Sequence, residues 1–173
     1  HTVSPIRRGP CVYNLRDGRD VLVSHFWQSV NGLRNGNTTV RRRLAQLHPS
    51  LKRIGAAPTP DDLRSFYEEW RLRPSGARAP WGAHVQRWLS ADNPEMCVLR
   101  YEDLGERAED VLPPVAERLI GAVPERYVLD FAIRRNAFEA KTGRKPGEVV
   151  NSDRRRSGRV GGWRDDLPSD LQR

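Results

Sequence analysis

The stretch CVYNLRDGRDVLVS, residues 11–24, decides the fold of this chain. Residues 11–15 form a short apolar run between two turn-forming pairs, Gly-Pro and Asp-Gly, and a run bounded in this way predicts a β-strand. The residues from Asp20 onward follow a helical pattern at once. A strand, a tight charged turn and a helix in direct succession favour an α/β fold, in which ligands bind at the carboxyl ends of parallel strands.

Two side chains in this stretch are candidates for binding an anion. Arg16 stands at the tip of the predicted strand, and its planar guanidinium fork suits a phosphate. Ser24 lies one turn into the following helix, whose first turn offers free N–H groups and the positive end of the helix dipole. The alternative is a charged turn in which the Arg and Asp side chains simply pair with each other.

Local patterns also predict the other elements. A second strand is expected at 97–101, and helices are expected over 59–70, 81–89, 111–119 and 125–131. Residues 31–58 look irregular and predict a mobile loop or lid, whereas the Gly-, Lys- and Arg-rich residues 141–162 predict a second loop. The alternation of strands and helices predicts one α/β domain over residues 1–173, with three layers and a mainly parallel central sheet.

Composition narrows the class of protein. The net charge of +8 favours an anionic partner, which leaves nucleic acid, a membrane surface or a phosphorylated small molecule open. Arginine bias from a GC-rich genome is an alternative source of this charge.

No run approaches the roughly 18 apolar residues of a membrane span, so no membrane partner is expected. Cys11 and Cys97 lack metal-ligand or disulfide spacing, which predicts reduced thiols, no metal site and a cytoplasmic location.

Two further motifs could contact a nucleotide. In VLRYEDL, residues 98–104, Tyr101 stands at a strand tip, where it could bind a nucleotide or pack against the sheet. RRRSGRVGGW, residues 154–163, combines four arginines with three glycines, which suits a backbone that folds closely over a charged anion. A solvated basic loop is the alternative for this second motif.

The order and spacing of these motifs resemble the sulfotransferase family that uses 3′-phosphoadenosine 5′-phosphosulfate (PAPS). YNLRDGRDVLVS is similar to the family's segment for the 3′-phosphate, and RRRSGRVGGW is similar to its R-K-G-x-x-G-x-W loop. WGAHVQRWL, VLRYEDL and NAFEAK are similar to three other family segments. The resemblance implies a three-layer sulfotransferase fold of the type found in P-loop NTPases.

The resemblance also implies residue roles in the nucleotide site. The residues expected to bind the 3′-phosphate are Arg16, Ser24, Arg156, Ser157 and Gly158, with Ser157 standing where the family usually has Lys. Tyr101 is expected to approach the adenosine and Phe138 to pack near the adenine. The stretch HTVSPIRRGPCVYNLR resembles the part of the family that carries the catalytic base, which makes His1 the candidate base.

The family's P-K-S/A-G-T-T-W-like loop for the 5′-phosphosulfate has no counterpart within residues 1–173. We therefore expect a carboxy-terminal portion of a sulfotransferase domain that is inactive by itself. As a full-length enzyme it is expected to transfer the sulfuryl group of PAPS to a hydroxyl or amine of a small molecule and to release PAP (adenosine 3′,5′-bisphosphate), without a metal and without a nucleic-acid partner. The alternatives are a non-catalytic fragment of the same family and a basic nucleic-acid-binding protein.

Overall fold

A computed structural model describes residues 9–72, 79–153 and 155–173 of the chain. Within these residues the sheet has two strands, β1 (Cys11–Leu15) and β2 (Met96–Arg100). They pair in parallel, with Tyr13 opposite Val98 and Leu15 opposite Arg100. The predicted parallel strands are thus confirmed, together with a mixed α/β architecture. The three-layer arrangement like that of P-loop NTPases stays a prediction.

Nine α-helices and two 3-10 turns make up the rest of the described secondary structure. The α-helices are α1 (Gly18–Asn35), α2 (Thr38–Leu47), α3 (Pro60–Trp70), α4 (Trp81–Leu89), α5 (Tyr101–Glu106), α6 (Ala108–Ile120), α7 (Arg126–Asn136), α8 (Phe138–Thr142) and α9 (Trp163–Asp166). The 3-10 turns are Pro49–Arg53 and Ser169–Leu171. In the described part of the chain, no helix has both the length and the apolar character that a membrane span requires.

The prediction that residues 31–58 form an irregular loop is wrong, because most of them are helical. Helix α2 begins after Asn37, whose side chain accepts a hydrogen bond from the Val40 amide. Its apolar side chains return every three or four residues, and Leu44 packs closely against Gly32 of α1. The run of three arginines on the exposed face of α2 made the apolar period of this helix difficult to recognise in the sequence. Among the Asn and Gly residues of this segment, Gly36 and Asn37 form the short junction between α1 and α2, whereas Asn31, Gly32 and Asn35 lie within α1.

The chain divides into two compact units, which are described separately. The first contains residues up to 16 together with 85–144, and so holds both strands. Tyr13 is buried there and stacks on Trp88, with 5.1 Å between ring centroids. Cys11 and Cys97 lie on neighbouring strands as free thiols, with Cys97 buried and Cys11 half-buried. Their reduced state stays a prediction.

The second unit contains residues 17–84 and 145–173 and has an aromatic core between α1 and α3. Phe26 and Phe66 are fully buried at its centre and meet edge to face, 5.4 Å apart. Burying one such side chain contributes roughly 1.5–3 kcal/mol. Trp163 of α9 joins the same core, which ties the carboxy-terminal part of the chain to α1.

Helix α3 begins with a capping box that the sequence predicted in part. Thr59 accepts a hydrogen bond from the Asp62 amide at 3.2 Å, and the Asp62 carboxylate accepts one from the Thr59 amide at 2.8 Å. Thr59→Ala is expected to lower the free energy of unfolding by about 1 kcal/mol, measured by urea denaturation. Thr39→Ala, an exposed change in α2 that removes no cap, is the control. Equal stability of the Thr59→Ala variant and the unsubstituted protein would contradict this account.

Candidate functional site

The carboxyl ends of β1 and β2 bring Arg16 and Tyr101 together in the first unit. Because the parallel register places Leu15 opposite Arg100, the residues that follow leave the sheet at the same edge. The guanidinium carbon of Arg16 lies 4.4 Å from the centre of the Tyr101 ring. A cation over an aromatic face in this range contributes about 0.5–2 kcal/mol. The ring therefore holds the guanidinium at the strand end.

The Nε atom of Arg16 is buried and has no hydrogen-bond partner among the described residues. A guanidinium carries five N–H donors, and buried donors are normally satisfied in native structures. Arg16 thus presents an unsatisfied donor at the place where ligands of parallel sheets bind. A bound anion would supply the missing acceptor.

Asp17 pairs with Arg19. Its carboxylate accepts the Arg19 amide at 2.8 Å, which caps α1, and also forms an ion pair with the Arg19 guanidinium at 2.7 Å. The hydrogen bond from the Arg19 side chain is the main cause of the lowered pKa of Asp17. The charged turn therefore has an internal ion pair, as the alternative interpretation of the sequence required.

Ser24 and Phe138 have modest local contacts. The Ser24 hydroxyl accepts a long hydrogen bond of 3.5 Å from Gln28 one turn later, and it can still donate its own proton. Phe138 begins α8, and the guanidinium carbon of Arg144 lies 5.1 Å from its ring centre. Both side chains are half-buried.

The basic loop, residues 155–163, belongs to the second unit. Gly158 and Gly161 have φ angles of 59° and 69°, which favour glycine over residues with a side chain. Arg156 forms a two-point ion pair with Asp166, at 3.2 and 2.5 Å, with both side chains largely buried. This pair distinguishes the loop from a purely solvated basic segment.

A comparison with protein-family models found one match that covers most of the chain. The model described as the sulfotransferase domain matches residues 10–173. The chain belongs to the sulfotransferase domain family. A search of curated proteins found no match. The match to this family model confirms the predicted family membership. The reaction of the family is sulfuryl transfer in general.

The predicted site residues of this sulfotransferase fall into two groups. Arg16, Tyr101 and Phe138 lie in the first unit, where Arg16 is in direct contact with Tyr101. Ser24, Arg156, Ser157 and Gly158 lie in the second unit; the Ser157 carbonyl accepts the Gly147 amide at 2.7 Å. That the two groups share one nucleotide site stays a prediction. His1, the candidate base, and Arg154 lie outside the described residues.

Sequence reasoning missed two acids of the sulfotransferase, Asp20 and Asp166. Asp20 is buried and accepts hydrogen bonds from the backbone of the basic loop, and Asp166 holds Arg156. A signal for Asp20 was present, because it stands three residues before the buried Val23 on the same helix face. A buried carboxylate needs partners. No comparable signal existed for Asp166, since its partner depends on the path of the loop.

Metal-ligating side chains do not gather in groups of three or more in the part of the chain that the structure describes. This observation does not test the expectation of a metal-free enzyme, which stays a prediction.

Proposed function

We propose that the protein transfers the sulfuryl group of PAPS to a hydroxyl or amine of a small molecule and releases PAP. The observation that carries this proposal is the pairing of Arg16 with Tyr101 at the carboxyl ends of two parallel strands. A guanidinium with a buried, unsatisfied donor suits a phosphate, and the neighbouring tyrosine suits an adenosine. The family match over residues 10–173 supports the same class of reaction.

The basic loop supplies the second part of the proposed site. Arg156 is presented in a fixed orientation by Asp166, which takes two of its N–H donors. Gly158 allows the backbone to approach an anion closely, because it lacks a Cβ atom. We propose that Arg156, Ser157 and Gly158 bind the 3′-phosphate together with Arg16 and Ser24. Phe138 would pack near the adenine.

The chemistry of the reaction is mainly a matter of positioning and charge. PAPS supplies a sulfuryl group on a phosphate leaving group: the acceptor forms a bond to sulfur, and the electron pair of the broken S–O bond goes to the phosphate oxygen. The cations named above would fix the nucleotide through its 3′-phosphate. We propose that His1 takes the proton of the acceptor, since an imidazole with an ordinary pKa near 6.5 is suited to this role at neutral pH.

The proposal is tested by turnover of the full-length natural protein with a panel of phenols, sugars and amines. PAPS is compared with adenosine 5′-phosphosulfate, which lacks the 3′-phosphate. We expect transfer from PAPS to at least one acceptor and a kcat/KM at least about 10-fold lower with the second donor, because one charged contact is worth roughly 1.5–3 kcal/mol. Equal use of both donors would contradict the proposal. Salt-dependent binding of duplex DNA without any transfer would favour the nucleic-acid alternative.

A further inference from the structure

Asp20 is a buried carboxylate that accepts hydrogen bonds from two backbone amides of the basic loop. Its side chain is in the first turn of α1, with 4% of the residue exposed. Its Oδ2 atom accepts the Gly161 amide at 2.8 Å, and its Oδ1 atom accepts the Trp163 amide at 3.1 Å. A carboxylate removed from water is costly unless hydrogen bonds satisfy it. These two amides, more than 140 residues along the chain, therefore fix both Asp20 and the end of the loop.

The surroundings of Trp163 strengthen this attachment. Its ring is buried, with the guanidinium carbon of Arg19 at 3.7 Å and that of Arg164 at 4.4 Å from the ring centre. Gly161 has a left-handed backbone, and a Cβ atom there would collide with the Arg164 side chain. The loop end is therefore attached to α1 both through its backbone amides and through the ring of Trp163.

The hydrogen bonds to Asp20 also limit which loop amides can bind a ligand. The amides of Gly161 and Trp163 are already used, so an anion bound by this loop must use other donors. Arg156 and Gly158 lie in the part of the loop that precedes these two amides. Asp20 itself is not expected to contact the anion, because the negative charge of its carboxylate would repel it.

We propose that Asp20 is a positioning residue that holds the basic loop in the conformation that presents Arg156 and Gly158 to the 3′-phosphate of the donor. This inference rests on the proposed function for its ligand. Positioning and simple electrostatics predict opposite results for Asp20→Asn. Loss of a nearby negative charge alone would tighten binding of an anionic donor, whereas loss of the loop anchor weakens it. Asn can accept from one amide but presents an NH₂ group to the other.

The first test is steady-state kinetics of the full-length Asp20→Asn protein with PAPS. We expect the KM for PAPS to rise about 10- to 50-fold with kcat changed much less, since the loop acts on donor binding. Asp17→Asn is the matched control: it removes the same charge from the same end of α1 and keeps a side chain that can cap the helix. Its KM is expected to change less than about 3-fold. A lower KM in Asp20→Asn would overturn the proposal.

The second test is amide hydrogen exchange by NMR without any nucleotide, so its outcome does not depend on the proposed function. In the unsubstituted protein the Gly161 and Trp163 amides should exchange at least about 10-fold more slowly than an unstructured peptide, and Asp20→Asn should remove most of this protection. Unprotected amides in the unsubstituted protein, or unchanged protection in the variant, would overturn the anchoring role even if Asp20→Asn folds poorly. If PAPS shows no advantage over adenosine 5′-phosphosulfate while the two amides are protected as expected, Asp20 does fix the loop. The proposal that the loop binds the 3′-phosphate is then wrong.

Discussion

Replacing Arg16 by alanine is expected to weaken binding of PAP by about 10- to 150-fold, because one charge-assisted hydrogen-bonding contact is worth roughly 1.5–3 kcal/mol. The guanidinium lies over the Tyr101 ring at the strand ends, and its buried Nε donor has no hydrogen-bond partner in the part of the chain that the structure describes. The substitution removes this donor and the positive charge together. Arg16→Lys should recover only part of the affinity, since a lysine ammonium lacks the planar fork. Calorimetric titration of the full-length protein with PAP measures both variants.

The matched control for this substitution is Arg100→Ala. Arg100 ends the neighbouring strand, so its loss removes the same charge from the same edge of the sheet. Its guanidinium is exposed and lies 3.6 Å from the Glu102 carboxylate. We expect a change of less than about 3-fold in PAP affinity for Arg100→Ala. Equal losses in both variants would show a general effect of charge, and unchanged affinity in Arg16→Ala would remove Arg16 from the site.

Acidification is expected to destabilise the second unit through His25. The Nδ1 atom of His25 accepts a hydrogen bond of 2.8 Å from the Trp70 indole, so the ring must stay neutral to keep this bond. Burial, with a smaller effect from the nearby His48, lowers the pKa of His25 to about 4. The folded-state pKa is below the value of 6.5 for the free side chain. The stability that His25 contributes is therefore complete above pH 6.5 and is lost as the pH falls toward 4.

The size of this effect follows from the two pKa values. Between pH 7.5 and pH 4.5 the free energy of unfolding should fall by about 2.5 kcal/mol from His25 alone. His25→Gln keeps an acceptor for the Trp70 indole but does not titrate, so the variant should lack this part of the pH dependence. Urea unfolding of the unsubstituted protein and of the variant at both pH values separates the contribution of His25 to the pH dependence from the contribution of the carboxylates. Parallel pH profiles of the two proteins would contradict the account of His25.

Local sequence signals predicted those elements that depend on neighbouring residues. The strand before Arg16 was bounded by turn residues, and α3 began at a capping threonine followed by proline. The helix over 81–89 was clear from its aromatic spacing. The error at 31–58 arose because charged residues on the exposed face of α2 outweighed a short apolar period. In that segment Leu44 of α2 packs closely on Gly32 of α1, and a contact between two helices has no local signal in the sequence.

The candidate site was predictable only where it follows from a strand end. Arg16 and Tyr101 meet because both leave parallel strands at one edge, and this rule needs no knowledge of the remaining chain. The pairing of Arg156 with Asp166 and the bonds of Asp20 to the loop depend on contacts across the folded unit. Such contacts have no local period or spacing, so the sequence could indicate the burial of Asp20 but not the partners of either acid.

The most direct measurement of the central claim is the affinity of the full-length natural protein for PAP compared with 5′-AMP, by calorimetry at one salt concentration. The two nucleotides differ only in the 3′-phosphate, which is the group that Arg16 and the basic loop are proposed to bind. Several charged contacts are lost together, so PAP should bind at least about 100-fold more tightly. Equal affinities for the two nucleotides would contradict the account.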